Sequence, residues 1–295
     1  MNNSSVVNIS VAEKFKAYYE LLKPRLSFLV TFSSGFGYML GATGAIDWFS
    51  FTAFCIGGFL ISGASVTINQ IKEVEFDKVM KRTADRPMPT NRISVAEANV
   101  FTLFCLITGV ALLYFYTNSL TLLLTLISTI LYSYVYTPLK RVGPIAVFVG
   151  AIPGALPPLI GWVAVSGGIS LEAFIIFGIQ FVWQFPHFWA IAWVSDEDYK
   201  KAGFKLLPGG GKKDLNTAIN IMTYTLFLLP LGLFPAYLSI TGINSAVVVT
   251  ICGVLFLSQT FMLMKDNSRK SALRIMFGSF LYLPIVQIAF LLDKL

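Results

Sequence analysis

Nine stretches of mainly apolar residues dominate this chain, at about 25–43, 48–68, 96–116, 118–136, 143–165, 170–193, 217–240, 243–264 and 271–292. Each is long enough to cross the hydrocarbon core of a bilayer as a helix, which takes about 20 residues. Runs this long and unbroken exclude barrel strands, which would alternate and stop near ten residues. Only Thr117, Asn118 and Ser119 separate the third stretch from the fourth, so those two are expected to form a tight hairpin. Charged residues make up 13% of the 295, about half the usual share of about 25%. So few ionic side chains cannot cover a soluble globule. The pattern predicts an all-α membrane protein, a bundle of nine transmembrane helices. It argues against a cytosolic enzyme, a disordered chain and a nucleic-acid binder, in spite of a net charge of +7. Cys55, Cys105 and Cys252 lie far apart inside apolar stretches and read as small buried hydrophobes.

The charge is a topology signal. With nine spans, 21 of the 22 Lys and Arg residues fall on one side, and only Lys294 falls on the other. The positive-inside rule then places the N-terminus in the cytoplasm and the C-terminus outside. Twelve of the fifteen acidic residues share the basic side, Asp47, Glu172 and Asp293 being the exceptions. Any chemistry is expected at the cytoplasmic face. Residues 1–24 have neither the apolar core of a signal peptide nor the arginines of a transit segment, which points to a bacterial inner membrane. Ser10 and Glu13 read as a capping box opening a short helix, with Phe15, Tyr18, Tyr19 and Leu22 spaced to lie on the membrane surface. The whole chain, 1–295, reads as a single membrane domain, with cytoplasmic cap loops at 69–95 and 194–216.

Two polar constellations stand out. In the first, Asn69, Glu73 and Asp77 recur every four residues, which on a continuing helix turns each only about 40° from the last. Two like charges at that spacing disfavour a bare helix and call for a cation. Hard oxygens without His or Cys suit Mg²⁺, which commonly binds through carboxylates and substrate phosphates together. Lys72, Lys78, Lys81, Arg82, Arg86 and Arg92 could hold the remaining phosphate charge. The plain alternative is a solvated loop whose charges set topology, and it is the better reading of Glu75, Lys78 and Asp85, which fall off the stripe.

The second constellation runs from Pro186-His187 to Ser195-Asp196-Glu197-Asp198-Tyr199-Lys200. His187 is the only histidine and lies within an apolar span, where an ionisable group usually faces an interior cavity. A helix-packing hydrogen bond is its alternative role. Eleven residues bring Asp198 back to the same face about 16 Å further along a continuous helix. Ser195 to Asp198 could equally form a capping box. Both acidic clusters follow spans separated by four helices, which hints at a repeated four-helix unit with the clusters opposed. Between them, the Gly150–Trp162 run, rich in Gly, Ala and Pro, allows close helix packing or a broken span. Lys140 and Arg141 are either topology charges or diphosphate ligands.

Taken together, the chain resembles the UbiA superfamily of intramembrane prenyltransferases and, within it, the branch that farnesylates haem. The residues that carry the resemblance are Asn69-x3-Glu73-x3-Asp77, Met80-Lys-Arg82-Thr83-x2-Arg86-Pro87, Tyr136-Thr137-x-Leu139-Lys140-Arg141, Pro186-His187-Phe188-Trp189 and Asp198-Tyr199-x3-Gly203. The family often has Asp where Glu73 stands. The resemblance implies a nine-helix bundle around a central cavity that opens to lipid. Its substrates would be farnesyl diphosphate and the vinyl group of haem b (protohaem IX), with diphosphate as leaving group and haem O as product. It implies Mg²⁺ held by Asn69, Glu73, Asp77 and Asp198. Substrate binding would fall to Lys72, Arg82, Arg86, Lys140, Arg141, Tyr199 and Lys200, with His187 contacting or ligating the haem. Two other readings compete. One is prenylation of an aromatic quinone precursor by the same machinery. The other is a secondary transporter, which would place coupling residues deep in several helices.

Overall fold

The computed structural model describes residues 9–295, and among them the only regular secondary structure is helical, apart from one isolated bridge between Thr241 and Lys294. In chain order the helices are α1 (Val11–Leu21), α2 (Pro24–Gly41), α3 (Trp48–Lys72), α4 (Val74–Val79), α5 (Val95–Tyr116) and α6 (Ser119–Ile130). A π-helical segment, Leu131–Tyr136, then runs into α7 (Thr137–Leu139). After it come α8 (Ile145–Ser166), α9 (Leu171–Val194), α10 (Asp196–Lys201), α11 (Pro208–Gly211), α12 (Leu215–Tyr237), α13 (Ile243–Asp266) and α14 (Arg269–Leu292). Eight helices are long and apolar enough to span a membrane, the run Ser119–Leu139 counting as one. The first of the nine expected spans, α2, is not among them: it has 18 residues and carries Pro24, Arg25 and several serines.

Local signals account for most helix ends. Ser10 and Glu13 form the expected capping box, with Glu13 N donating to Ser10 Oγ at 3.2 Å and Ser10 N to Glu13 Oε2 at 2.8 Å. Only part of the α1 face is free, however. Phe15 and Tyr19 are exposed, but Tyr18 packs on Phe101 with ring centroids 5.0 Å apart, and Leu22 is buried beside Gly63. The hairpin at Thr117–Asn118 forms as expected: Asn118 Oδ1 caps α6 at Thr121 N (2.9 Å), while its Nδ2 donates to the Val163 carbonyl of α8 (2.7 Å).

The proline-rich run does not break its span; α8 continues through Pro153, Pro157 and Pro158. A proline donates nothing to the carbonyl one turn back, so Pro158 frees the Gly154 carbonyl, and two side chains of α9 fill the vacancy. Gln180 Nε2 donates to it at 2.8 Å and Gln184 Nε2 at 3.0 Å. On its other side α8 lies against α2 with backbones nearly touching. A Cβ on Gly37 would collide with the Pro158 carbonyl, and one on Gly161 with that of Ser34. This is close small-residue packing of the kind membrane helices use.

The two acidic segments share a local geometry. At Glu73 (φ −108°, ψ 10°), between α3 and α4, the chain breaks as it does at Ser195 (φ −100°, ψ 11°), between α9 and α10. Each long helix is thus followed by a six-residue helix. The two short helices and the turn from Met80 to Ser94 cap the same end of the bundle.

Candidate active site

The bundle encloses a cavity of about 490 Å³, bounded mainly by α2, α3, the π-helical segment, α8, α9 and α14. Charge is confined to its capped end. Four cations (Lys23, Arg82, Arg86 and Lys140) face two carboxylates (Glu73 and Asp77), an excess of two positive charges, while the rest of the lining is uncharged.

The carboxylate stripe survives the break at Glu73, because Glu73 N still donates to the Asn69 carbonyl (3.1 Å) and Asp77 N to that of Glu73 (2.7 Å). The helix is therefore not continuous, as the spacing argument assumed, but its four-residue hydrogen-bonding register is kept. All three side chains are buried. Asn69 Nδ2 donates to Thr137 Oγ1 at 3.0 Å, which turns Oδ1 into the free end of the amide. Glu73 accepts from Lys140 Nζ through both oxygens, at 2.9 and 3.2 Å. Asp77 Oδ2 accepts from Arg86 Nη1 at 2.5 Å, while its Oδ1 has no partner among the described residues. The cation that two stacked carboxylates require is supplied by Lys140 and Arg86.

The second cluster divides. Tyr199 lines the cavity and accepts from Arg82 Nη2 at 3.4 Å. Asp198 does not line it; its carboxylate accepts from the backbone amides of Lys81 (3.4 Å) and Arg82 (3.3 Å), pinning the turn that presents Arg82. Burial pulls the Asp198 pKa upward, but those two amides and the Lys201 ammonium outweigh it, and the carboxyl lies below its ordinary value. The buried acid of the trio is Asp196, which accepts from Lys200 (2.8 Å) and Lys213 (3.2 Å). Lys200 is thereby turned away from the cavity. So are Lys72, whose ammonium lies 3.7 Å from the Tyr134 ring centroid, and Arg141, which covers Phe76 at 5.1 Å. Ser195 makes no side-chain cap, so the capping-box alternative for Asp198 is not realised.

The oxygens present suit a magnesium ion shared with phosphate. Asp77 Oδ1 is a buried orphan in a cavity that Asn69 and Glu73 also line, and Mg²⁺ takes one or two carboxylates when substrate phosphates complete its shell. The protein alone does not form a full cage: among the described residues no three Asp, Glu, His or Cys side chains converge on one point.

Lys23 is a site residue that carries no mark in the sequence beyond a basic residue before Pro24. It caps α2 in the left-handed region, at φ 43°, where a residue with a Cβ is strained by roughly 1 kcal/mol. It lines the cavity and makes no ion pair among the described residues. Burial, reinforced by Arg86 and Lys140, pushes its pKa well below the usual lysine value. An ammonium held there is short of an anion.

His187 lines the cavity about two turns below the end of α9 that leads to Tyr199, stacked on Trp183 with centroids 4.4 Å apart. Its Nδ1 lies 2.8 Å from Ser279 Oγ on α14. That hydroxyl already donates to the Met276 carbonyl at 2.6 Å, so it accepts from Nδ1–H, leaving Nε2 unprotonated with its lone pair free. The packing bond considered for His187 is real, and it sets the tautomer a metal ligand needs.

The model of the UbiA prenyltransferase family matches residues 28–283. Among curated proteins, the chain is 55% identical to the protoheme IX farnesyltransferase of Cytophaga hutchinsonii, over 97% of this chain and all of that one. It is 43% identical to the protein of the same name from Christiangramia forsetii, over 100% and 98% of the two. Among solved structures it is similar to a digeranylgeranylglyceryl phosphate synthase, with a TM-score of 0.78 at 23% identity over 95% of this chain and 98% of that one. A UbiA homolog from Archaeoglobus fulgidus, bound to GPP and Mg²⁺, superposes with a TM-score of 0.64 at 19% identity, over 93% and 99%. A multi-pass helical membrane fold, a cationic cavity beneath two acidic helix ends and near full-length kinship all agree: this chain belongs to the UbiA prenyltransferase family.

Proposed function

We propose that this protein transfers a farnesyl group from farnesyl diphosphate to a vinyl group of protohaem IX, releasing diphosphate and giving haem O. The observation that carries the reading is the excess of cations at one end of a cavity whose remaining lining is uncharged and mostly hydrocarbon. It suits a substrate with an anionic head and a hydrocarbon tail, and the names of the full-length relatives favour haem over a quinone precursor as acceptor. The α2 helix, at about 27 Å, would be the ninth span. The distribution of Lys and Arg supports a cytoplasmic N-terminus and cap in a bacterial inner membrane.

Lys23, Arg82, Arg86 and Lys140 bind the diphosphate, with Tyr199 steadying Arg82. Asn69, Glu73 and Asp77 would hold Mg²⁺; Asp198, expected among the ligands, is left to position the Arg82 turn. When bound, the metal neutralises charge on the departing diphosphate and acts as a Lewis acid. As diphosphate enters, Arg86 and Lys140 exchange part of their pairing with Asp77 and Glu73 for phosphate oxygens. Tyr132, Tyr136, Phe188 and Phe204, which line the cavity near this end, exclude water from the allylic cation. Each can contribute about 2 kcal/mol of cation–π attraction in a dry site. The vinyl carbon attacks the cation, and water closes the adjacent carbocation with loss of a proton.

The test is a product assay in nanodiscs with Mg²⁺, farnesyl diphosphate and haem b, read by mass spectrometry. A hydroxyethylfarnesyl haem that EDTA abolishes is the expected product; an unchanged porphyrin alongside a prenylated aromatic acceptor would assign the protein to the quinone branch. Two variants probe the two substrates separately. Lys23→Met should raise KM for farnesyl diphosphate about tenfold, the worth of one charge-assisted hydrogen bond, while haem binding stays unchanged. His187→Ala should do the reverse, losing haem affinity and shifting the Soret band; equal losses for both substrates would remove His187 from the haem site.

A further inference from the structure

Deeper than His187, one wall of the cavity carries a polar floor within the span region, made by Ser33 of α2, Gln180 and Gln184 of α9, and Gln287 of α14. Ser33 Oγ donates to Gln180 Oε1 (2.8 Å), and Gln287 Nε2 donates to both Ser33 Oγ (2.8 Å) and Gln180 Oε1 (3.0 Å). With the Gly154 carbonyl taking Gln180 and Gln184, the cluster is cross-linked but not closed. Neither Gln184 Oε1 nor Gln287 Oε1 accepts a hydrogen bond among the described residues, and neither is sealed in packing. Gln184 Nε2, which donates once, also has a second proton available, whereas both protons of Gln287 Nε2 are used. Polar groups at this depth are costly, and helix packing alone does not need acceptors left facing a cavity.

Their placement relative to His187 is specific. Gln180, Gln184 and His187 follow at intervals of four and three residues on α9. They therefore share one face, with Gln180 about 10 Å deeper than His187. The charged end lies in the opposite direction, because Phe188 packs against Tyr136 (6.4 Å), and Tyr136 lies 4.8 Å from the Lys140 ammonium. In protohaem the vinyl groups and the propionic side chains stand on opposite edges of the ring. A ring with its iron at His187 and a vinyl turned to the diphosphate end therefore turns its propionic edge to the glutamines. We infer that Gln184 and Gln287 form a carboxyl-binding floor that receives the propionic groups of the acceptor and sets which edge meets the farnesyl donor. Either amide oxygen accepts an acid O–H, and the remaining N–H of Gln184 donates to an acid carbonyl, so the contact forms with the neutral acid and no buried charge. This inference rests on haem being the acceptor.

The test compares haem b with its dimethyl ester, which keeps iron and vinyl groups but cannot donate from its propionic ends, by Soret titration of the full chain in nanodiscs. The ester should bind about tenfold more weakly than the acid, the loss expected for one or two hydrogen bonds. In Gln184→Leu, haem b should fall to the level of the ester and the ester should be unmoved, closing the gap without moving the Soret maximum. Gln287→Leu gives the same comparison if the first variant folds poorly. Equal binding of acid and ester to the wild type, or a variant that weakens both alike, would overturn the floor and leave the haem assignment standing. Failure of the wild type to bind haem b at all would overturn both.

Discussion

Asp77→Ala is expected to lower farnesyl transfer by about three orders of magnitude while leaving the protein folded. Asp77 is the one site carboxylate with no exposed surface, and it divides its work. One oxygen accepts from Arg86, and the other is buried without a partner. Removing a preorganised group that stabilises charge at a reacting centre typically costs 10²–10³ in rate, and this group is also proposed to hold the metal. The substitution also strands a half-buried guanidinium, which lowers stability, so unfolding curves must accompany the rates. Asp77→Asn separates the two effects: it keeps the shape and an acceptor for Arg86 but discards the anion. Its rate should stay low, and the Mg²⁺ concentration for half-maximal activity should rise. Activity within tenfold of wild type in folded Asp77→Ala would remove Asp77 from the metal site.

The second large effect is structural. Gly161→Ala should cost at least about 3 kcal/mol, at or beyond the upper end of ordinary overpacking, because the added methyl meets the backbone carbonyl of Ser34 rather than a movable side chain. To relieve it, α2 and α8 must separate, and both helices line the cavity. Partly folded protein should therefore also lose activity. Gly178→Ala on α9 is the control: a Cβ there meets nothing within 4 Å, and its stability should stay within about 1 kcal/mol of wild type. Thermal unfolding in matched detergent compares them, and similar midpoints would show that the α2–α8 contact yields easily.

Most of the fold was legible in the sequence because a bilayer leaves little choice. A continuous apolar run of twenty residues must be helical to satisfy its backbone, and the expected spans match the observed helices to within a few residues. The stripe Asn69–Glu73–Asp77 was legible for the same reason, since its spacing survives the break at Glu73. The π-helical segment and the continuity of α8 through three prolines were not. Both depend on neighbouring helices that take up irregular backbone groups.

The individual roles of charged residues divided along the same line. The sequence by itself determined which residue types gather at one end of the bundle, because charge cannot enter the hydrocarbon and must sit beyond the span ends. It could not say which of them turn inward. Lys72, Arg141 and Lys200 look like Arg82, Arg86 and Lys140 in the chain, yet the first three lie on aromatic faces or on Asp196, and the second three line the cavity. Lys23, Ser279 and the glutamine floor emerged only in three dimensions. Each acquires its role from a partner far away in the sequence, and only packed helices decide which distant side chains meet.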